Sequence, residues 1–127
     1  PRTVVAYDYD NATGNISNLR TVINVPEEYG PPDGMAIDSE GMLWVAHFSG
    51  SAVRRWNPST GEMLEVVELP TSSVTSCAFG GENLDELYIT TARIQLSDEQ
   101  LELQPLAGDL FKVKVGIKGT TTYRFDG

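Results

Sequence analysis

Few residues in this 127-residue chain are equipped for chemistry, and their types narrow what that chemistry can be. There is one histidine, His47, and one cysteine, Cys77. Neither a histidine-rich zinc cluster nor a Ser-His-Asp triad can be assembled convincingly from such a set. Carboxylates are plentiful, with 18 acidic residues against 9 basic ones and a net charge of −9. Two places hold them in suggestive patterns. Asp8-Tyr9-Asp10 with Gly14 has the look of a calcium loop. An EF-hand, however, needs Gly at its sixth position and Glu at its twelfth, where this chain has Thr13 and Leu19, so these acids read as a solvated hairpin. The second place is Pro32-Asp33-Gly34. By itself this is a common turn sequence with an exposed Asp. The alternative is a carboxylate held by the restricted backbone of Pro32 and a tight strand entry at Gly34. The residues alone leave both open.

The elements that must position these groups are strands. β-branched or aromatic runs recur at residues 3–9, 19–25, 35–38, 42–47, 52–57, 63–69, 74–79, 86–91, 109–115 and 120–125. Turn formers such as Asn11-Ala12-Thr13-Gly14 and Pro58-Ser59-Thr60-Gly61 separate them. The spacing predicts an all-β chain of antiparallel meanders. Residues 96–106 do not keep a helical period; Ser97 and Asp98 suit the cap of a single turn, and the stretch is expected to be a long loop between two strands.

The pattern also repeats. Asn57-Pro58-Ser59-Thr60-Gly61 echoes Asp10-Asn11-Ala12-Thr13-Gly14, 47 residues earlier. Thr75-Ser76-Cys77-Ala78-Phe79-Gly80 aligns with Asp33-Gly34-Met35-Ala36-Ile37-Asp38 at a spacing of 42. A period in the forties with four strands per unit is that of a β-propeller blade. On this count residues 31–70 and 71–127 are two blades, and residues 3–25 are the two outer strands of a third. A propeller needs at least four blades to close. The chain, which opens on Pro1 rather than Met, is therefore expected to be part of a longer ring.

The run Pro32-Asp33-Gly34-Met35-Ala36-Ile37-Asp38-Ser39-Glu40-Gly41-Met42-Leu43-Trp44-Val45-Ala46 resembles the family of regucalcin (senescence marker protein), gluconolactonase and the luciferin-regenerating enzyme of fireflies. Tyr7-Asp8-Tyr9-Asp10, Gly14-Asn15-Ile16-Ser17-Asn18, Asn83-Leu84-Asp85-Glu86-Leu87-Tyr88-Ile89-Thr90 and Ala107-Gly108-Asp109-Leu110-Phe111-Lys112 carry it further, almost end to end. The resemblance implies the C-terminal portion of a six-bladed propeller with one divalent metal ion, Ca²⁺, Zn²⁺, Mn²⁺ or Mg²⁺, in its central channel. It implies that Asp33 is a metal ligand and the catalytic carboxylate, with the remaining ligands upstream of Pro1. Thr75, at the matching place in the next repeat, is a channel-lining candidate, or else a strand-start hydroxyl bonded to backbone. The implied activity is metal-dependent opening of sugar lactones by the intact protein, with this piece alone inactive. A calcium-binding regulatory role, or a luciferin-regenerating type of activity, is the alternative.

The other groups read as structural. His47 ends a strand and is expected to be a satisfied structural histidine. Cys77 is expected to be a small buried hydrophobe. Trp44 and Trp56 are expected to pack between blades. The sequons Asn11-Ala12-Thr13 and Asn15-Ile16-Ser17 would be used only by a secreted protein and are taken as chance matches. The acidic charge and sparse basic residues argue against nucleic acid or membrane as partners, leaving a small-molecule lactone and the rest of the ring. One cysteine and no signal segment fit a cytoplasmic protein.

Overall fold

The computed structural model describes residues 2–124. It holds nine strands in three antiparallel sheets that follow one another along the chain. Strands β1 (Thr3–Tyr9) and β2 (Ile16–Asn24) form a two-stranded sheet. Strands β3 (Pro32–Ile37), β4 (Leu43–His47), β5 (Ala52–Trp56) and β6 (Met63–Glu68) form a four-stranded meander in that order. Strands β7 (Val74–Gly80), β8 (Glu86–Thr91) and β9 (Leu110–Lys114) form the third sheet. Each of β3 and β7 is the first strand of its sheet, and the two pack side by side.

The repeated turn sequence folds the same way twice. Asp10 accepts a bond from the Ala12 amide at 2.9 Å, and its backbone N–H donates to Asn15 O at 2.9 Å. Asn57 accepts from the Ser59 amide at 2.9 Å and donates to Glu62 O at 2.9 Å. Gly14 and Gly61 both take φ of 75°, a left-handed conformation that suits glycine and closes each turn.

The two central strands of the middle sheet are buried on both faces. On one side Trp44, Ala46 and Val53 pack with Val74, Cys77, Leu87 and Ile89 of the third sheet. The Trp44 indole meets Phe79 edge-on, with ring centroids 6.1 Å apart. On the other side Val45 and Trp56 pack with Val4, Ile23 and Val25 of the first sheet. Alternation along β4 and β5 sends the two tryptophans to opposite faces, and each anchors one inter-sheet core.

Two expectations change and one open choice is decided. Residues 96–106 hold a short helix, α1 (Asp98–Leu103). A reciprocal cap makes it possible without amphipathic periodicity: Ser97 Oγ accepts from the Gln100 amide at 3.3 Å, and Gln100 Oε1 accepts from the Ser97 amide at 2.9 Å. Just past the helix, Gln104 Oε1 accepts from the Ser72 amide at 2.7 Å and from the Ser72 and Thr71 hydroxyls. Of the expected strand over 120–125, residues 120–124 belong to no strand, and Phe125 lies outside the described residues. Its threonine-rich composition favours a strand, but a strand also needs a pairing edge. Strand β3 begins at Pro32, so Asp33 and Gly34 lie inside a strand and not in the exposed turn that their sequence also allows. Among the described residues no helix is long and apolar enough to cross a membrane.

Candidate functional site

The first residues of β3 and β7 are both irregular. Pro32 pairs with His47 and Met35 with Val45, so β3 carries one more residue than β4 across that interval, at Asp33-Gly34. Val74 pairs with Thr91 and Ser76 with Thr90, so β7 carries one extra residue at Thr75. Such bulges bend the strand and re-aim a side chain away from the regular alternation. Here they fall on the two positions that the 42-residue repeat aligns. Asp33 is exposed.

Gly34 explains how the two bulges meet. A Cβ placed there would overlap the Ser76 side chain and come within 2.9 Å of the Ser76 Cα. The backbones of β3 and β7 therefore touch, and only a residue without a side chain permits it. Asp33 and Thr75 are the residues immediately before the contact, so both strand starts are drawn to one place. Gly34→Ala is expected to destabilise the protein by about 1–3 kcal/mol through overpacking, read as a lowered thermal midpoint. Adding Ser76→Gly should recover part of the loss, since the side-chain overlap goes while the approach to Cα stays. No recovery would contradict the contact.

Thr75 Oγ1 lies 2.8 Å from Thr90 Oγ1. The hydroxyl is thus tied to another side chain and not to the backbone, contrary to one of the two expectations for it. Thr90 was not legible as a partner, because the pairing depends on the extra residue in β7.

Among the described residues no three His, Cys, Asp or Glu side chains gather in a way that would hold a metal ion. Hard divalent cations take about six or more oxygen ligands. The residues present therefore do not make a metal site by themselves; Asp33 offers one donor.

Two buried groups nearby are structural. His47, at the end of β4, is fully buried, and its Nδ1 lies 3.2 Å from Gly30 O. The expectation of a satisfied histidine holds at one nitrogen only, because Nε2 has no partner. Burial pushes its pKa below the ordinary 6.5, against the Gly30 carbonyl and with help from the Arg54 charge. The unfolded chain thus takes up a proton below pH 6.5 more readily than the folded one. His47 costs no stability above pH 6.5, and stability falls as pH drops below that value. Thermal midpoints measured from pH 7.5 to 5 should fall less steeply in His47→Asn than in the native chain. Cys77 is buried, its thiol lies 3.2 Å from Trp44 O, and burial pushes its pKa up to about 12. It is the small inert hydrophobe expected of it.

The residue most underrated by its sequence context is Asp38. Its carboxylate is wholly buried and accepts from Arg55 Nε at 2.7 Å, Trp44 Nε1 at 3.0 Å, and the Glu40 and Met42 amides at 2.9 and 3.0 Å. Arg55 also reaches Glu40 at 2.6 Å and Glu65 at 3.1 Å. This network secures the end of β3 opposite Asp33.

Comparison with known proteins shows the family. Residues 1–93 match the family model described as SMP-30/Gluconolactonase/LRE-like region. The chain is 50% identical to regucalcin of Danio rerio over 125 residues, which is 98% of this chain and 42% of that protein. A solved luciferin-regenerating enzyme superposes with a TM-score of 0.83 at 43% identity, over 94% of this chain and 40% of that one. A solved regucalcin from Agrobacterium tumefaciens, described as a calcium-binding protein, superposes with a TM-score of 0.85 at 28% identity, again over 94% and 40%. The chain spans about two-fifths of the length of these relatives. On the extent of that match, and with the sheets and turns it shares across the repeat, this chain belongs to the SMP-30/gluconolactonase/LRE-like family.

Proposed function

We propose that the full-length protein opens sugar lactones by hydrolysis, with Asp33 as the carboxylate that accepts a proton from the attacking water. The observation that carries this is the paired bulge at Asp33-Gly34 and Thr75, which sets an exposed carboxylate where two sheet-leading strands touch. In this reading residues 31–70 and 71–127 are two blades of a six-bladed propeller, and residues 3–25 are the outer strands of a third. Strands β3 and β7 then line the central channel, with Asp33 and Thr75 at one end. Water attacks the lactone carbonyl and gives its proton to Asp33, the bond from the acyl carbon to the ring oxygen breaks, and Asp33 returns the proton to that oxygen, giving the open hydroxy acid. The Thr75–Thr90 hydroxyl pair supplies polar wall beside the carboxylate. A divalent cation, Ca²⁺, Zn²⁺, Mn²⁺ or Mg²⁺, is part of the same proposal, with Asp33 contributing one oxygen and the other donors coming from outside these residues. A single buried thiol fits a reducing, cytoplasmic setting.

Stripping the full-length protein of metal with a chelator is expected to abolish gluconolactone hydrolysis, and adding back each of the four cations in turn should restore it to different levels. Undiminished hydrolysis after complete metal removal would overturn the metal part of the proposal. A second reading, calcium binding without hydrolysis, is favoured by the regucalcin names among the relatives. It prevails if the cation binds stoichiometrically and no lactone is opened. A luciferin-regenerating type of activity draws on the 43% identical structure and is tested in the same assay series with that substrate class.

A further inference from the structure

The end of β3 and β7 away from Asp33 is crossed by a further segment. Strand β9 runs from Leu110, paired with Thr90, to Lys114, paired with Glu86, and so finishes at the far end of its sheet. The chain then turns inward. Val115 and Ile117 pack against the core between the second and third sheets. Ser39 N donates to Lys118 O at 2.8 Å, Asp38 and Gly119 form an antiparallel bridge, and Gly119 N donates to Leu84 O at 2.8 Å. The segment thereby ties the β3–β4 turn to the β7–β8 turn. Gly119 is packed directly on the Phe79 ring, where a Cβ would overlap it. Beyond this point Thr120 and Thr122 lie beside residues 35–37 of β3 and 77–79 of β7, lining with them a cleft of about 310 Å³.

We infer that residues 115–122 are a strap that closes the channel at the end opposite Asp33, so that a substrate reaches the carboxylate from one mouth only. The inference rests on the reading of β3 and β7 as channel-lining strands. Its physical basis is independent of the reaction. Three backbone links and a glycine contact pin the strap to two sheets, and its exposed threonines give the closed end a polar surface. Removing it would leave the strand ends, with Cys77 and Phe79 behind them, open to water.

Cys77 reports on this directly. It lines the cleft beside Thr120 and Thr122 and is 5% exposed. In the full-length protein a variant that stops after Gly119 is expected to react with a maleimide at Cys77 at least about tenfold faster than the native protein, because an opened floor both uncovers and hydrates the thiol. An unchanged labelling rate in a folded variant would overturn the strap. Should that variant not fold, hydrogen exchange of the native protein decides. The Ser39 and Gly119 amides, which donate to Lys118 O and Leu84 O, are expected to be protected, and exchange at unprotected rates overturns the inference. Neither readout depends on hydrolysis. Slow labelling and protected amides in a protein without lactonase activity would refute the proposed reaction and leave the strap intact.

Discussion

Asp38→Ala lowers the stability of the fold by about 3–5 kcal/mol, as large a loss as truncating a buried tryptophan. The substitution strands four donors at once: the Arg55 guanidinium, the Trp44 indole and the Glu40 and Met42 amides. Arg55 is only 10% exposed, and its remaining partners, Glu40 and Glu65, are 61% and 46% exposed, where water screens them. They cannot replace a fully buried carboxylate. Asp38→Asn, which keeps an acceptor oxygen, should cost less, about 1.5–3 kcal/mol for hydrogen bonds to a charged group. Thermal or urea unfolding of both variants measures the difference. The pH dependence gives a second check. Burial alone would raise the pKa of Asp38, but bonds from Arg55, the Met42 amide, Trp44 and the Glu40 amide outweigh it and hold the group below 3.8. The stabilisation is therefore complete above about pH 4 and is lost as pH falls through the lowered value. The gap between native and Asp38→Asn midpoints should narrow in that acid range, and a gap independent of pH would contradict the network.

Much of this fold is legible along the chain because local chemistry repeats. The Asp10 and Asn57 turns have the same residue types at the same offsets, and they close with the same hydrogen bonds. Trp44 and Trp56 lie in strands whose alternation dictates opposite faces. What the chain conceals are relations that need a register. Asp38, followed by Ser-Glu-Gly, looks like one more turn acid. Only the β4–β5 pairing, which sets Trp44 opposite Arg55, places both beside it. Thr90 joins Thr75 only because β7 carries an extra residue, and no spacing rule anticipates a bulge. Helix α1 escapes periodicity because its cap and the Gln104 anchor hold it, and it buries no residue of its own. Residues 120–124 show the converse, where strand propensity is present and no strand forms.

Asp33 is where sequence and structure meet most closely. Pro-Asp-Gly by itself is a common turn sequence that also permits a strand entry, and the bulge with its Gly34–Ser76 contact favours the second. Asp33→Asn is nearly isosteric, so the strand start and its contact should survive and thermal stability should change little. The side chain would lose its negative charge and its capacity to accept a proton. In the proposed role of Asp33 as general base, its loss lowers turnover by about 10²- to 10⁴-fold. Loss of the anionic oxygen should also weaken binding of a divalent cation, as such ions favour carboxylate donors. Asp33→Ala should behave alike, while Thr75→Val should weaken substrate binding and leave turnover closer to native.

The most direct test is the turnover number for gluconolactone of full-length Asp33→Asn, beside the native protein, at saturating cation and with equal thermal midpoints. The account predicts a drop of about two to four powers of ten. Native turnover in that variant would contradict it.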